Sequence, residues 1–142
     1  MIEASTERDL PEIRALLQRL QLPLAGVDEH LPTMLIAREG GQIVGTAGLE
    51  LYADGALLRS VAVEPSRQGQ QLGRQLTGAS LDLAATCGAN TVFLLTTTAE
   101  RFFPQFGFEP IGREQVPSSV RASVEFQSAC PASAIVMRKR LR

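Results

Sequence analysis

A chain of 142 residues with 14 Lys plus Arg, 15 Asp plus Glu and a formal net charge of -1 is sized for one domain, since a single core serves roughly 100–150 residues, and it offers no global basic field for nucleic acid or an anionic membrane. Its apolar runs fall far short of the roughly 18 residues of a membrane span, and acidic residues stand where a signal peptide carries a basic region, so a cytoplasmic protein with no membrane partner is expected. One histidine, His30, and two distant cysteines, Cys87 and Cys130, make no metal-ligand pattern.

IEAS forms a short first strand, and Ser5 or Thr6 caps a helix that opens with Glu7, Asp9 and Pro11 and repeats Leu10, Ile13, Leu17 and Leu20 at helical spacing. A loop through Pro23, Gly26 and Pro32 leads to MLIAR, the turn EGG at 39–41 and the long strand QIVGTAGLELY. The turn ADG at 53–55 then leads into ALLRSVAV, the third strand of this meander. Leu72, Leu76, Ala79, Leu83 and Cys87 predict a helix over 70–87, stopped by Gly88. NTVFLLT reads as a strand buried on both faces, followed by a helix over about 98–106 that packs Phe102 and Phe106, and AIVMRK at 134–139 is the last strand. The predicted class is α/β, one domain with a mixed, mostly antiparallel sheet flanked by helices.

SRQGQQLGRQL, residues 66–76, carries Gly69 and Gly73 four apart where a strand gives way to a helix. Backbone amides in the first turn of such a helix have no partner within it and converge on one point, which suits phosphate oxygens. Glycine keeps the approach clear of side chains, and Arg67 and Arg74 add positive charge at the rim. The plain alternative is a strand-to-helix turn that holds nothing. GxxxxGK[ST] is absent, which excludes a P-loop NTPase, and the lack of GxGxxG speaks against a Rossmann site.

VAVEPSRQGQQLG, residues 61–73, resembles VAVxPxxRGxGxG of the GNAT superfamily of acetyl-coenzyme A dependent N-acetyltransferases, with Gln71 where the family has glycine. TTTAERFFPQFGF, residues 96–108, is similar to the family's NxxAxxFYxxxGF, with Thr96 in the asparagine slot and Phe103 in the tyrosine slot. The resemblance implies a GNAT-like fold whose fourth and fifth strands splay apart, with acetyl-coenzyme A as co-substrate and no metal. By the same resemblance Val61, Ala62 and Val63 offer a strand edge to the pantetheine arm. Gln68, Gly69, Gln70, Gln71, Leu72, Gly73 and Arg74 cradle the diphosphate, and Phe102 completes the cofactor site.

Attack of an amine on a thioester needs loss of a proton from nitrogen, stabilisation of an oxyanion and a proton for the thiolate. The family often gives the last task to the tyrosine replaced here by Phe103, which has no proton to give. Thr96 or Ser60 as the holder of a water, and Glu50 as a base near the end of its strand, are the candidate catalytic residues. Gly112 to Ala134 is long for the connection between the last two strands and reads as a lid with a short central helix. Arg59 and Arg121 are candidates to meet acidic groups of a small-molecule amine substrate, an arginine fork being suited to a carboxylate.

The strings LRSVAVxPxxxGQ, LLTTTAExFFxxxGFxP, VRAxxEF and CPASAxxM, at 58–70, 94–110, 120–126 and 130–137, resemble closely the N-acetyltransferases encoded beside arsenic-resistance genes. They are also similar to the acetyltransferase domain of the amino-acid N-acetyltransferases of arginine biosynthesis. An amino acid or glutamate-like analogue is the acceptor this implies, in a direct ternary-complex reaction. A protein or peptide N-acetyltransferase and a non-catalytic acetyl-coenzyme A binding domain are the alternatives. The final strands of such a sheet are edges that a second copy would cover, which leaves a homodimer open.

Overall fold

The computed structural model describes residues 2–69, 71–129 and 133–141; Gln70 and Cys130, both named above, lie outside the described residues. The chain runs β1 (Ile2–Ala4), α1 (Leu10–Arg19), β2 (Met34–Glu39), β3 (Gln42–Tyr52), β4 (Gly55–Val63), α2 (Leu72–Thr86), β5 (Thr91–Thr96), β6 (Glu109–Ile111), α3 (Ser118–Arg121) and β7 (Ile135–Arg140). The sheet order is β1-β2-β3-β4-β5-β7-β6. Only β4 and β5 pair in parallel, as expected where a crossover helix joins them; the remaining pairs are antiparallel.

Local chemistry explains the entry to α1. The Thr6 amide and hydroxyl both donate to Asp9 Oδ2, at 2.9 and 3.2 Å, and Pro11 sits in the first turn, where a missing N–H costs nothing. Ile13, Leu16 and Leu17 are then buried with Met34, Ile36 and Ile43 on one face of the sheet. On the opposite face, α2 buries Leu72, Leu76 and Ala84 against Ala47, Leu49, Leu58 and Leu94. A third cluster, Val116 and Val120 with Leu57, Phe93 and Val136, seats the segment between β6 and β7 on the same face as α1. The sheet is therefore covered on both sides, and the space between α1 and that segment opens onto β4 and β5.

Two helix expectations need correction. α2 begins at Leu72 rather than residue 70, because Gln71 has left-handed backbone with φ +69°. The helix expected over 98–106 is replaced by turns and a single 3-10 turn, Phe103–Phe106. Pro104 lacks an N–H and crowds the carbonyl one turn earlier, which blocks a regular helix. The spacing of Phe102 and Phe106 still brings their rings together, with centroids 5.3 Å apart. Cys87, placed by its period on the apolar stripe, is exposed beyond the end of α2.

Candidate functional site

The site originates in one extra residue. β3 and β4 pair in register at Gly45↔Val63 and Thr46↔Ala62, then resume at Gly48↔Arg59, so Ser60 and Val61 share one position opposite Ala47. Such a bulge bends its strand and turns the following side chains over. Ser60 carries the bend with φ +59°. Leu58, Val61 and Val63 all pack on the α2 side, whereas Ala62 packs toward α1. Pairing between β4 and β5 is confined to Ala56↔Val92 and Leu57↔Phe93. Beyond that point the two strands part, and a cavity of about 910 Å³ opens between them.

One end of this cavity is the bend described in the sequence. Gln71 adopts the left-handed conformation that glycine would take most easily, and Gly69 is likewise left-handed with φ +87°. The first helical hydrogen bond of α2 runs from Gln75 N to Gln71 O at 3.0 Å. The amides of Leu72, Gly73 and Arg74 precede it, and all three residues line the cavity. A Cβ on Gly73 would stand 3.4 Å from Phe102 Cζ, so glycine leaves this ring close to the amides. Gln68 donates its side-chain amide to Val63 O at 3.1 Å and ties the loop to β4. Arg67 Nε stands 2.6 Å from Glu39 Oε1, and Arg74 donates to Gln105.

The far end is built from Arg59, Ser60, Thr96 and the residues after α1. Thr96, the last residue of β5, accepts the amide hydrogens of Ala99 at 2.9 Å and Thr98 at 3.4 Å through Oγ1. Its hydroxyl proton is thereby left to point away from that turn. Arg59 is 2% exposed at its side chain and is held on several sides. Nη1 donates to Glu50 Oε2 at 2.8 Å, Nη2 to Pro23 O at 3.1 Å and Nε to Ser60 Oγ at 3.2 Å, with Glu125 Oε2 3.3 Å from Nε. Tyr52 donates its hydroxyl to Glu50, and His30 Nε2 lies 3.7 Å from the same carboxylate. Burial first, and the Glu50 carboxylate second, push the Tyr52 phenol up and keep it protonated.

Of the sequence-named residues, Arg59, Ser60, Val61, Val63, Gln68, Gly69, Gln71, Leu72, Gly73, Arg74, Thr96 and Phe102 line this cavity together. Ala62 faces α1 instead. Glu50 does not line it but lies behind Arg59, and Arg121 is exposed on α3, away from the lining. Phe103 is buried edge-on between Phe102 and Phe108. Glu125 and the threonines Thr97 and Thr98 line the cavity without having been singled out as site residues. Among the described residues no group of three His, Cys, Asp or Glu is placed to hold a metal ion, and no helix is long and apolar enough to cross a membrane.

Residues 30–110 match the family model described as an acetyltransferase (GNAT) domain. The amino-acid acetyltransferase of Neisseria meningitidis serogroup B is 25% identical over 122 residues, which is 80% of this chain and 28% of that protein. The chain thus spans little more than a quarter of that relative's length. Among solved structures, N-acetylglutamate synthase from Neisseria gonorrhoeae, complexed with coenzyme A and N-acetyl-glutamate, aligns over 100% of this chain and 35% of its own, with TM-score 0.86 and 23% identity. Rv2747 from Mycobacterium tuberculosis, in complex with CoA, aligns over 100% and 99% of the two chains with TM-score 0.84 and 22% identity. Strands β4 and β5 that part after Leu57, a bulge further along β4 and a left-handed bend at the start of α2 are thus joined by a family match over more than half of the sequence, and the chain belongs to the GNAT acetyltransferases.

Proposed function

We propose that this chain transfers the acetyl group of acetyl-coenzyme A to the amine of a small molecule, an amino acid or amino-acid analogue, in a direct ternary-complex reaction. The observation that carries the reading is the cavity between β4 and β5. It is open toward the amides ahead of α2 and bounded at its other end by Glu125 and the turn after α1. The amides of Leu72, Gly73 and Arg74 fit a diphosphate, with Arg67 and Arg74 as neighbouring cations. The edge of β4 at Val61 and Val63, past its last pairing with β5, fits an extended arm with amide groups of its own. At the acceptor end Thr96 and Ser60 supply hydroxyls that hold a water or the acetyl carbonyl.

The segment between β6 and β7 favours a small acceptor over a peptide. It packs Val116 and Val120 into the core and brings Glu125 to the cavity wall, which narrows the space a polypeptide would need. Amino-acid acetyltransferases among the relatives point the same way. Arg59 takes a positioning role in this reading: its guanidinium already donates to Glu50, Pro23 and Ser60 and faces Glu125. The finer reading, a glutamate-like analogue of the kind handled beside arsenic-resistance genes, rests on the sequence strings alone.

The test is release of free thiol from acetyl-coenzyme A with glutamate, methionine, phosphinothricin and arsinothricin as acceptors and a short peptide alongside. Turnover of amino acids or their analogues, with the peptide inert, supports the proposal. Turnover of the peptide alone, or calorimetric binding of the cofactor with no acceptor consumed, overturns it.

A further inference from the structure

Glu125 enters the cavity from an element whose helical or strand periodicity gives no hint of chemistry. It opens the wide turn Glu125–Ala129 that follows α3. The residue is 4% exposed, yet its side chain belongs to the cavity wall. Its Oε2 lies 3.3 Å from Arg59 Nε, and that same nitrogen donates to Ser60 Oγ at 3.2 Å. Ser60 is the bulge residue of β4, three positions past its last pairing with β5 at Leu57. The Glu125 carboxylate is therefore held at the fork of the two strands, where a thioester lying along the open edge of β4 meets its acceptor.

The charges around it narrow its role. Among the described residues lining the cavity, the other charged groups are the guanidinium groups of Arg59, Arg67 and Arg74, and Glu125 is the one carboxylate. An aliphatic amine arrives largely as its ammonium at neutral pH, since amines of this kind hold their proton to about pH 8–10. Hydroxyls such as those of Ser60 and Thr96 have negligible basicity, and Glu50 is walled off behind Arg59. We propose that Glu125 receives the ammonium of the acceptor and takes its proton, which makes it a catalytic residue of this chain. The inference rests on the acetyltransferase reading above and deepens it.

The step balances without a further reagent. One proton passes from the ammonium to the Glu125 carboxylate, leaving a neutral amine. The nitrogen lone pair attacks the thioester carbonyl carbon; the C–N bond forms, and the C–S bond breaks as the carbonyl re-forms. The nitrogen sheds its second proton and the departing thiolate gains one. The sum is ammonium plus thioester giving amide, thiol and one proton, which Glu125 returns to solvent. Arg59, braced from behind by Glu50, sets where the carboxylate stands and is a positioning residue.

The experiment compares wild type with Glu125→Gln and Glu125→Asp. It measures kcat/KM from about pH 6 to about pH 10, coenzyme A affinity by calorimetry and the melting temperature. Glu125→Gln is expected to keep cofactor affinity and to lose about 100-fold or more in kcat/KM near neutral pH, the usual worth of a positioned base. That deficit narrows as pH rises and solvent deprotonates the acceptor, and Glu125→Asp recovers part of the rate. If Glu125→Gln melts far below wild type, Glu125→Asp carries the test, through a shifted pH profile at unchanged cofactor affinity. A Glu125→Gln enzyme within about threefold of wild type, or a loss equal at every pH, overturns the inference and leaves the acetyltransferase reading standing. A wild-type enzyme that acetylates no amine overturns that reading and this inference with it.

Discussion

Replacing Arg59 by methionine keeps most of the side-chain volume and removes the cation beside Glu50, a residue that is 1% exposed. The 2.8 Å bond from Nη1 to Oε2 is lost, together with the donations to Pro23 O and Ser60 Oγ. The basic group that remains near Glu50 is His30, 3.7 Å away. Removing one partner of a buried ion pair costs about 3–5 kcal/mol, because the other charge stays buried without compensation. Against a total stability of about 5–15 kcal/mol that is a large fraction, and in a chain of this length it lowers the melting temperature by about 10–20 °C. Urea unfolding of Arg59→Met, Glu50→Gln and the double variant closes a thermodynamic cycle. The double variant is expected to be more stable than Arg59→Met, since Glu50 then carries no charge to be compensated and of the two carboxylates that Arg59 met only Glu125 is left. A loss of less than about 1 kcal/mol, the range of an exposed pair, refutes the structural role and returns Arg59 to the candidates for binding an acceptor carboxylate.

Tyr52 is the sole tyrosine and there is no tryptophan, so phenolate absorbance reports it alone. Its folded pKa lies above the unfolded value, through burial first and the Glu50 bond second. Its contribution is therefore complete below about pH 10 and declines as the pH rises above it, because the unfolded chain ionises first. Tyr52→Phe should cost about 1–3 kcal/mol by depriving Glu50 of a donor, and it should abolish that alkaline decline; an early phenolate signal in the native protein speaks against this. Asp9 has the opposite sign: the Arg38 hydrogen bond first, and the Thr6 amide second, lower its pKa. Its contribution is present above about pH 4 and lost as pH falls through the folded value. Asp9→Asn should cost about 1 kcal/mol through the weakened cap and soften acid unfolding followed by circular dichroism. Gln71→Gly should gain about 0.5–1 kcal/mol, the left-handed penalty less the extra entropy of glycine, without weakening coenzyme A in calorimetry. A less stable Gln71→Gly chain contradicts the strain assigned to that position.

Where periodicity and turn chemistry act over a few neighbours, the sequence was readable. The meander β2-β3-β4, the capped α1 and the placement of α2 and β5 all follow from alternating or helical apolar spacing and from glycines at the breaks. The 98–106 stretch misled because Phe102 and Phe106 keep helical spacing while Pro104 forbids the hydrogen bonds a helix needs. The bend between β4 and α2 was legible from its glycines, yet nothing local announces that a glutamine at position 71 takes the left-handed conformation; the surrounding loop imposes it. Arg59, expected to meet acidic groups of a substrate, meets Glu50 and Glu125 from two other segments. Glu125 carried one signal, its place in VRAxxEF. Its approach to Arg59 depends on a contact across 66 residues of chain that no spacing rule encodes.

The bulge at Ser60 ties these observations together. An L-residue held at φ +59° inside a strand stores about 1–3 kcal/mol of backbone strain, so the fold must gain something from it. With regular alternation, Leu58, Ser60 and Ala62 would share a face; with the extra residue, Leu58 is followed on the α2 side by Val61 and Val63. That reversal keeps an apolar floor beneath the cavity while β4 turns away from β5 after Leu57. It also leaves the backbone groups of β4 that face β5 without a strand partner among the described residues. Buried backbone polar groups are normally paired, and a cavity lined by Leu58, Val61 and Leu94 offers them little. An extended ligand carrying its own amides meets that need as an added strand would. The same turn of chain sets Ser60 Oγ against Arg59 and thereby against Glu125. In the proposed reading the cofactor edge and the proton acceptor are two consequences of one inserted residue, so a variant that straightens β4 should lose both together.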